Sequence, residues 1–223
     1  MNNVLVLAVH PDDETLGCGG TLLKHKASGD KINWLIGTEA TEEAGFSKEY
    51  ILDREKEIET VAKLYGFNNV RRLGIPAAKV DAVPLAVLID KISKIFSELK
   101  PEIIYLPFMG DAHSDHRIFF EAAHICAKTF RQQHIRKILM METISETEFA
   151  PTTKDFAFLP NYFVNITEFL PRKLEIMKIF QSELGAHPFP RSIENIKAVA
   201  TSRGATAGFK YAESFMILKE LWQ

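Results

Sequence analysis

The stretch Val4-Leu5-Val6-Leu7-Ala8-Val9-His10-Pro11-Asp12-Asp13-Glu14 decides the fold. A strand with one wet face alternates apolar and polar residues, whereas a strand covered on both faces reads as an unbroken apolar run. Val4 to Val9 is such a run, half of it valine, and it is short for a buried helix. It predicts an inner strand of a parallel sheet. The polar residues after it then form the loop at that strand's carboxyl end, where open α/β sheets gather their ligands.

Outward from this strand the pattern alternates. A helical period runs from about Leu16 to Ala27, and a second strand is read at Ile32 to Ile36. Ile51, Ile58, Val61, Ala62 and Tyr65 share one helical face, closed by Gly66 as a C-cap. Val70 to Leu73 is a third, weaker strand because of Arg71 and Arg72. Leu85, Leu88, Ile89, Ile92, Ile95, Phe96 and Leu99 form the apolar stripe of a helix, with Pro84 near its first turn and Pro101 beyond its end. Ile103 to Leu106 is a fourth strand, Ile118 to Phe130 a helix and Ile138 to Met141 a fifth strand. This order predicts an α/β fold, a Rossmann-like open and mostly parallel sheet with helices on both faces. After Pro151 the alternation loosens into a strand at Tyr162 to Ile166, helices at Leu170 to Phe180 and Ile193 to Ala200, and a short strand at Phe215 to Leu218. No linker intervenes, so residues 1–223 read as a single domain. Its α/β core is 1–150, and a C-terminal α+β extension, 151–223, shapes the substrate pocket.

Composition narrows the function. Lys plus Arg is 27 against 29 Asp plus Glu, a net charge of −2, which excludes binding nucleic acid through bulk positive charge. Apolar residues at 46% are enough for one sizeable core. Two cysteines, Cys18 and Cys126, exclude a disulfide scaffold and a cysteine-rich zinc site. No apolar run approaches the roughly 18 residues of a membrane span. Met1-Asn2-Asn3 lacks the basic start of a signal peptide, so a cytoplasmic protein is expected.

Two loops carry chemistry. The first is His10 to Glu14. The second, Asp111-Ala112-His113-Ser114-Asp115-His116-Arg117, follows the fourth strand and faces the same rim. Three of the seven histidines lie in them beside Asp12, Asp13, Asp111 and Asp115, a clustering that outweighs a helix cap or a core histidine as the explanation. His10, Asp13 and His116 make a three-ligand set of the kind that leaves a catalytic zinc one open position. Asp12 stands beside it, placed to take a proton from water there. His113 and Asp115 are left as supporting or acid groups. Gly17, Gly19 and Gly20 do not match a dinucleotide-binding turn and read as close helix packing.

The His10-Pro11-Asp12-Asp13-Glu14 and His113-Ser114-Asp115-His116-Arg117 motifs, with Gly17, Gly19 and Gly20, resemble the PIG-L (LmbE-like) zinc-dependent N-acetylglucosamine deacetylases. The Arg54-Glu55-Lys56-Glu57 helix and the late Arg203 to Phe215 segment are similar too. The resemblance implies one Zn2+, or another divalent transition metal, on His10, Asp13 and His116. It implies Asp12 as general base, and a protonated His113 that stabilises the oxyanion or acts as an acid, oriented by Asp115. Arg54 would reach the sugar. The expected partner is a small amino-sugar conjugate, and the resemblance implies a homo-oligomer. Ser114 stands where the family usually has proline, which affects only loop rigidity. A metal phosphoesterase and a catalytically silent carbohydrate-binding protein on the same fold are the competing readings.

Overall fold

The computed structural model describes residues 1–222. In chain order the elements are β1 (Asn3–Ala8), α1 (Asp13–Ala27), β2 (Lys31–Glu39), α2 (Lys48–Tyr65), β3 (Asn69–Pro76), α3 (Leu85–Leu99) and β4 (Ile103–Leu106). Then come α4 (Ser114–Cys126), β5 (Lys137–Met141), β6 (Tyr162–Asn165), α5 (Leu170–Met177), α6 (Ile193–Ala207) and β7 (Ala212–Glu220). The seven strands form one sheet in the order β3-β2-β1-β4-β5-β7-β6. β1 to β5 are parallel; β7 pairs antiparallel with both β5 and β6. The sheet is therefore Rossmann-like, and the two strands after residue 150 continue it.

β1 lies inside, with Val4 and Val6 opposite Ile32 and Trp34 of β2 and opposite Ile103 and Tyr105 of β4. Val4 to Val9 are all fully buried, as the unbroken apolar run requires. Alternate residues serve opposite layers. Val4, Val6 and Ala8 pack with Leu22, Ile58, Val61 and Met177 from α1, α2 and α5. Leu5, Leu7 and Val9 pack with Leu88, Phe96, Phe119 and Ala123 from α3 and α4.

The chain order reverses at β1. β2 and β3 lie on one side of it, β4 and β5 on the other, so the loops after β1 and β4 diverge around a crevice. The glycines of α1 let it sit close beside that crevice. A Cβ at Gly17 would stand 2.7 Å from Met141 Sδ, and one at Gly20 2.8 Å from Ile166 Cβ. Both positions serve packing, as the sequence predicts. Trp34 of β2 is fully buried. Arg203 pairs with Glu142.

Two boundaries differ from expectation. α4 begins at Ser114 rather than Ile118, because His113 caps it: the His113 Nδ1 accepts the Asp115 N–H at 3.1 Å. Asp115 and His116 thus stand in the first helical turn and not in a loop. β7 extends well beyond Phe215 to Leu218 at both ends, because β5 and β6 pair along it.

Candidate metal centre

His10 follows β1, Asp13 opens α1 and His116 lies in the first turn of α4. Their side chains converge. His116 Nε2 is 3.3 Å from His10 Nδ1 and 3.3 Å from Asp13 Oδ2, and His10 Nδ1 is 3.9 Å from Asp13 Oδ2. Ligands roughly 2.0–2.1 Å from one zinc ion at tetrahedral angles stand about 3.3 Å apart.

The outward ring nitrogens have carboxylate partners. His116 Nδ1 meets Asp111 Oδ2 at 2.8 Å, and Asp111 Oδ1 accepts the Thr147 hydroxyl at 2.7 Å. His10 Nε2 lies 3.5 Å from Asp115 Oδ2, which also accepts the Ala78 N–H at 2.8 Å. Carboxylates that draw the outward protons leave lone pairs on the inward nitrogens, as metal-binding imidazoles require. The donor set fits a divalent transition metal. His10, His113 and Asp115 form a second grouping within reach of one ion. Its carboxylate already serves Ala78 and His10, which favours the first set.

Adjacent carboxyl groups are driven apart. Burial pushes Asp12 well above the ordinary carboxylate range, and the charge of Asp13 adds to the effect. Asp13 is buried too, but His116 and His10 outweigh burial and hold it below that range. One carboxyl is thereby suited to a cation and its neighbour to a proton. Asp13 Oδ2 also accepts the His10 backbone N–H at 2.8 Å, fixing the turn. Burial raises Glu14 to about 8. It accepts the Thr15 hydroxyl at 2.6 Å and the Asp12 N–H at 3.1 Å.

His113 differs from expectation. Burial, and then neighbouring His10, lower it to about 4, so it is neutral at neutral pH rather than protonated. Its Nδ1 accepts the Asp115 N–H, which leaves the proton on Nε2. Asp115 therefore orients His113 through its backbone amide, while its carboxylate serves His10.

A cavity of about 370 Å³ opens over this cluster. The extension 151–223 supplies part of its wall, and earlier segments supply the rest. Thr38 and Glu39 come from β2, Phe46 from the segment leading into α2 and Tyr50 from the first turn of α2, Ala77 and Ala78 follow β3, and the extension contributes Glu183 and Arg191. Arg54 lines it, but its guanidinium is engaged within the protein. It donates to Pro11 O at 3.0 Å, Tyr50 Oη at 2.6 Å, Ser182 Oγ at 3.0 Å and the Glu183 carboxylate. Its Nε faces Glu57 at 3.4 Å. Arg54 thus braces the wall between α2 and the extension. Besides His10 to Glu14, Asp111 to Arg117 and Arg54, none of the lining residues carried a sequence signal. The wall residues are scattered, and no spacing marks them.

Similarity to known proteins follows this geometry. A diacetylchitobiose deacetylase of Thermococcus kodakarensis is 25% identical over 228 residues, covering 96% of this chain and 82% of that protein. A probable N-acetyl-alpha-D-glucosaminyl L-malate deacetylase of Bacillus cereus is 26% identical over 194 residues, 83% of this chain and 82% of its own. A conserved protein of Thermus thermophilus superposes with a TM-score of 0.78 at 25% identity, covering 100% of this chain and 97% of that one. The family model for PIG-L, GlcNAc-PI de-N-acetylase, matches residues 5–127, which hold both loops. With more than half its length matched, the chain belongs to the PIG-L family.

Proposed function

We propose that the protein is a metal-dependent hydrolase that removes the acetyl group from an N-acetylglucosamine-type amino sugar. The observation that carries this reading is the convergence of His10 Nδ1, Asp13 Oδ2 and His116 Nε2 beside a buried Asp12, at the floor of a cavity. Deacetylase names among the relatives support it. Zinc, or another divalent ion that accepts these ligands, supplies Lewis acidity and a water of lowered pKa at neutral pH.

The chain's own residues do the rest. Asp12, a buried carboxylate whose raised pKa makes it a stronger base, accepts the proton of the attacking water. The amide oxygen becomes negative as the carbonyl carbon turns tetrahedral. His113 Nε2–H, a neutral donor on a fixed ring, meets that charge. Neutral His113 is a weak acid, so Asp12 returns its proton to the departing amine. Asp111 and Asp115 hold the two ligand rings in place.

The test is acetate release from N-acetylglucosaminides by the metal-loaded protein. Asp12→Asn should lower the rate by about 10²–10⁴-fold with metal content unchanged, and His116→Ala should lower metal content itself. Wild-type turnover in Asp12→Asn would remove Asp12 from the mechanism. Phosphate release in place of acetate would favour the phosphoesterase reading. Sugar binding without release of either would favour a silent carbohydrate-binding protein.

A further inference from the structure

Asp12 is aimed by two fixed peptide planes. A trans peptide unit is flat, so its carbonyl and its N–H point opposite ways, and a bond at each end fixes its plane. The unit joining Pro11 to Asp12 is held in this way. Its carbonyl accepts Arg54 Nη1 at 3.0 Å, and its N–H donates to Glu14 Oε2 at 3.1 Å. The following unit is held through the Asp12 carbonyl, which accepts the Thr15 and Leu16 N–H groups at 2.9 and 2.8 Å. With both planes set, the Cα–Cβ direction of Asp12 is set as well, at a φ of 151° that an aspartate rarely adopts.

Glu14 is itself anchored. It is fully buried and lies outside the cavity lining, so it does not touch a bound substrate. Its second oxygen, Oε1, is 2.6 Å from Thr15 Oγ1, and Tyr65 Oη of α2 lies 3.2 Å beyond. Gly19 makes room for that hydroxyl, because a Cβ there would collide with Tyr65 Oη. An acidic residue in the first turn of a helix is ordinarily explained by the helix dipole. The dipole asks only for negative charge at the start of α1. The bonds to Asp12 and Thr15 ask for a polar group at the reach of a glutamate side chain.

We infer that Glu14 is a positioning residue: anchored through Thr15 and Tyr65, it holds the Pro11–Asp12 peptide plane against the pull of Arg54 and so aims the Asp12 carboxyl at the attacking water. Its effect on rate rests on the deacetylase reading; its hold on the peptide does not.

Three variants separate shape from charge. Glu14→Gln keeps the reach and the acceptor for Asp12, and its NH2 group can donate to Thr15 Oγ1. Glu14→Asp keeps a carboxyl at the helix start but is one methylene short. Glu14→Leu keeps neither. Acetate release from methyl N-acetylglucosaminide by the metal-loaded protein is the first measurement. Glu14→Asp and Glu14→Leu should lower kcat about ten- to a hundredfold with KM within about twofold, whereas Glu14→Gln stays within about threefold of wild type. Metal content should be unchanged in all three. Exchange of the Asp12 amide proton, followed by NMR, is the second measurement. It should be at least about tenfold faster in Glu14→Asp and Glu14→Leu and near wild type in Glu14→Gln. If Glu14→Leu does not fold, the other two carry the comparison. Glu14→Asp as active as Glu14→Gln would assign the residue to the helix dipole and overturn the inference. A loss carried by KM, or one that follows loss of metal, would overturn it too. If the wild type releases no acetate while the Asp12 amide responds as expected, the deacetylase reading fails and the hold on the peptide stands. An Asp12 amide indifferent to every variant overturns the hold itself.

Discussion

Asp12 occupies a backbone conformation that side chains rarely adopt, at φ 151° and ψ −26°. Its neighbours hold it there. Its carbonyl accepts the Thr15 and Leu16 N–H groups at 2.9 and 2.8 Å, and its own N–H is taken by Glu14. Residues forced into such regions cost roughly 1–3 kcal/mol and persist where the surroundings over-determine them. The strain also presents a buried carboxyl to the cavity. Asp12→Gly relieves both, at a backbone-entropy cost of about 0.5–1 kcal/mol. That variant should be inactive yet about 1 kcal/mol more stable in urea unfolding. A loss of stability as large as a core truncation would show that Asp12 sits without strain. The residue's chemistry was legible in Asp12-Asp13, because a cation and a proton acceptor call for adjacent carboxylates. Its conformation was not, since aspartate alone does not signal an outlying φ.

At the scale of elements, the candidate site depends on α1 being anchored. The helix is interrupted at Cys18, whose φ of −146° breaks the run of helical bonds. The N–H groups of Gly20 and Thr21 turn instead to Glu213 of β7, at 2.8 and 2.7 Å, and the Thr21 hydroxyl reaches the same carboxylate at 2.6 Å. Lys173 of α5 completes the set, 2.7 Å from Glu213 and 2.8 Å from the Leu16 carbonyl. Both charges are nearly inaccessible to solvent. Removing one partner of such a pair strands the other, so Lys173→Met should cost about 3–5 kcal/mol. Replacing Glu213 by Gln in that background should recover part of the loss in urea denaturation. A cost of Lys173→Met below about 1 kcal/mol would contradict the anchoring role. Helices and strands of the core were readable from periodicity. This ion pair was not, because Lys173 and Glu213 lie in the segment where periodicity is weakest, and only the fold brings them under α1.

Over the whole molecule, the two ends of the sheet do different work. The carboxyl ends carry the candidate metal set. The amino ends are tied by Asp30, which accepts the Asn2 N–H at 2.6 Å and meets His25 Nδ1 at 2.7 Å, while His25 Nε2 lies 2.9 Å from the Tyr105 hydroxyl. Burial opposes the Asp30 charge, but the bonds from Asn2 and His25 prevail and hold its carboxyl below its ordinary value. The stabilisation is therefore complete above the unfolded pKa of about 4 and fades as pH falls through the lower folded value. Asp30→Asn should cost about 1–2 kcal/mol at pH 7 and progressively less toward pH 2. A difference that is constant with pH would assign the effect to packing. The open, mostly parallel sheet and the placing of two distant loops on one rim followed from the pattern of apolar runs, because alternating β and α segments leave few topologies; the place of β7 between β5 and β6 did not. The cavity wall did not, because its residues come from many separate segments and share only their place around the crevice. The most direct measurement is anomalous diffraction from crystals soaked in zinc, recorded at the zinc edge. One strong peak about 2.0–2.2 Å from His10 Nδ1, Asp13 Oδ2 and His116 Nε2 is the expected result. An empty cluster, or a peak held by His113 and Asp115 instead, would contradict it.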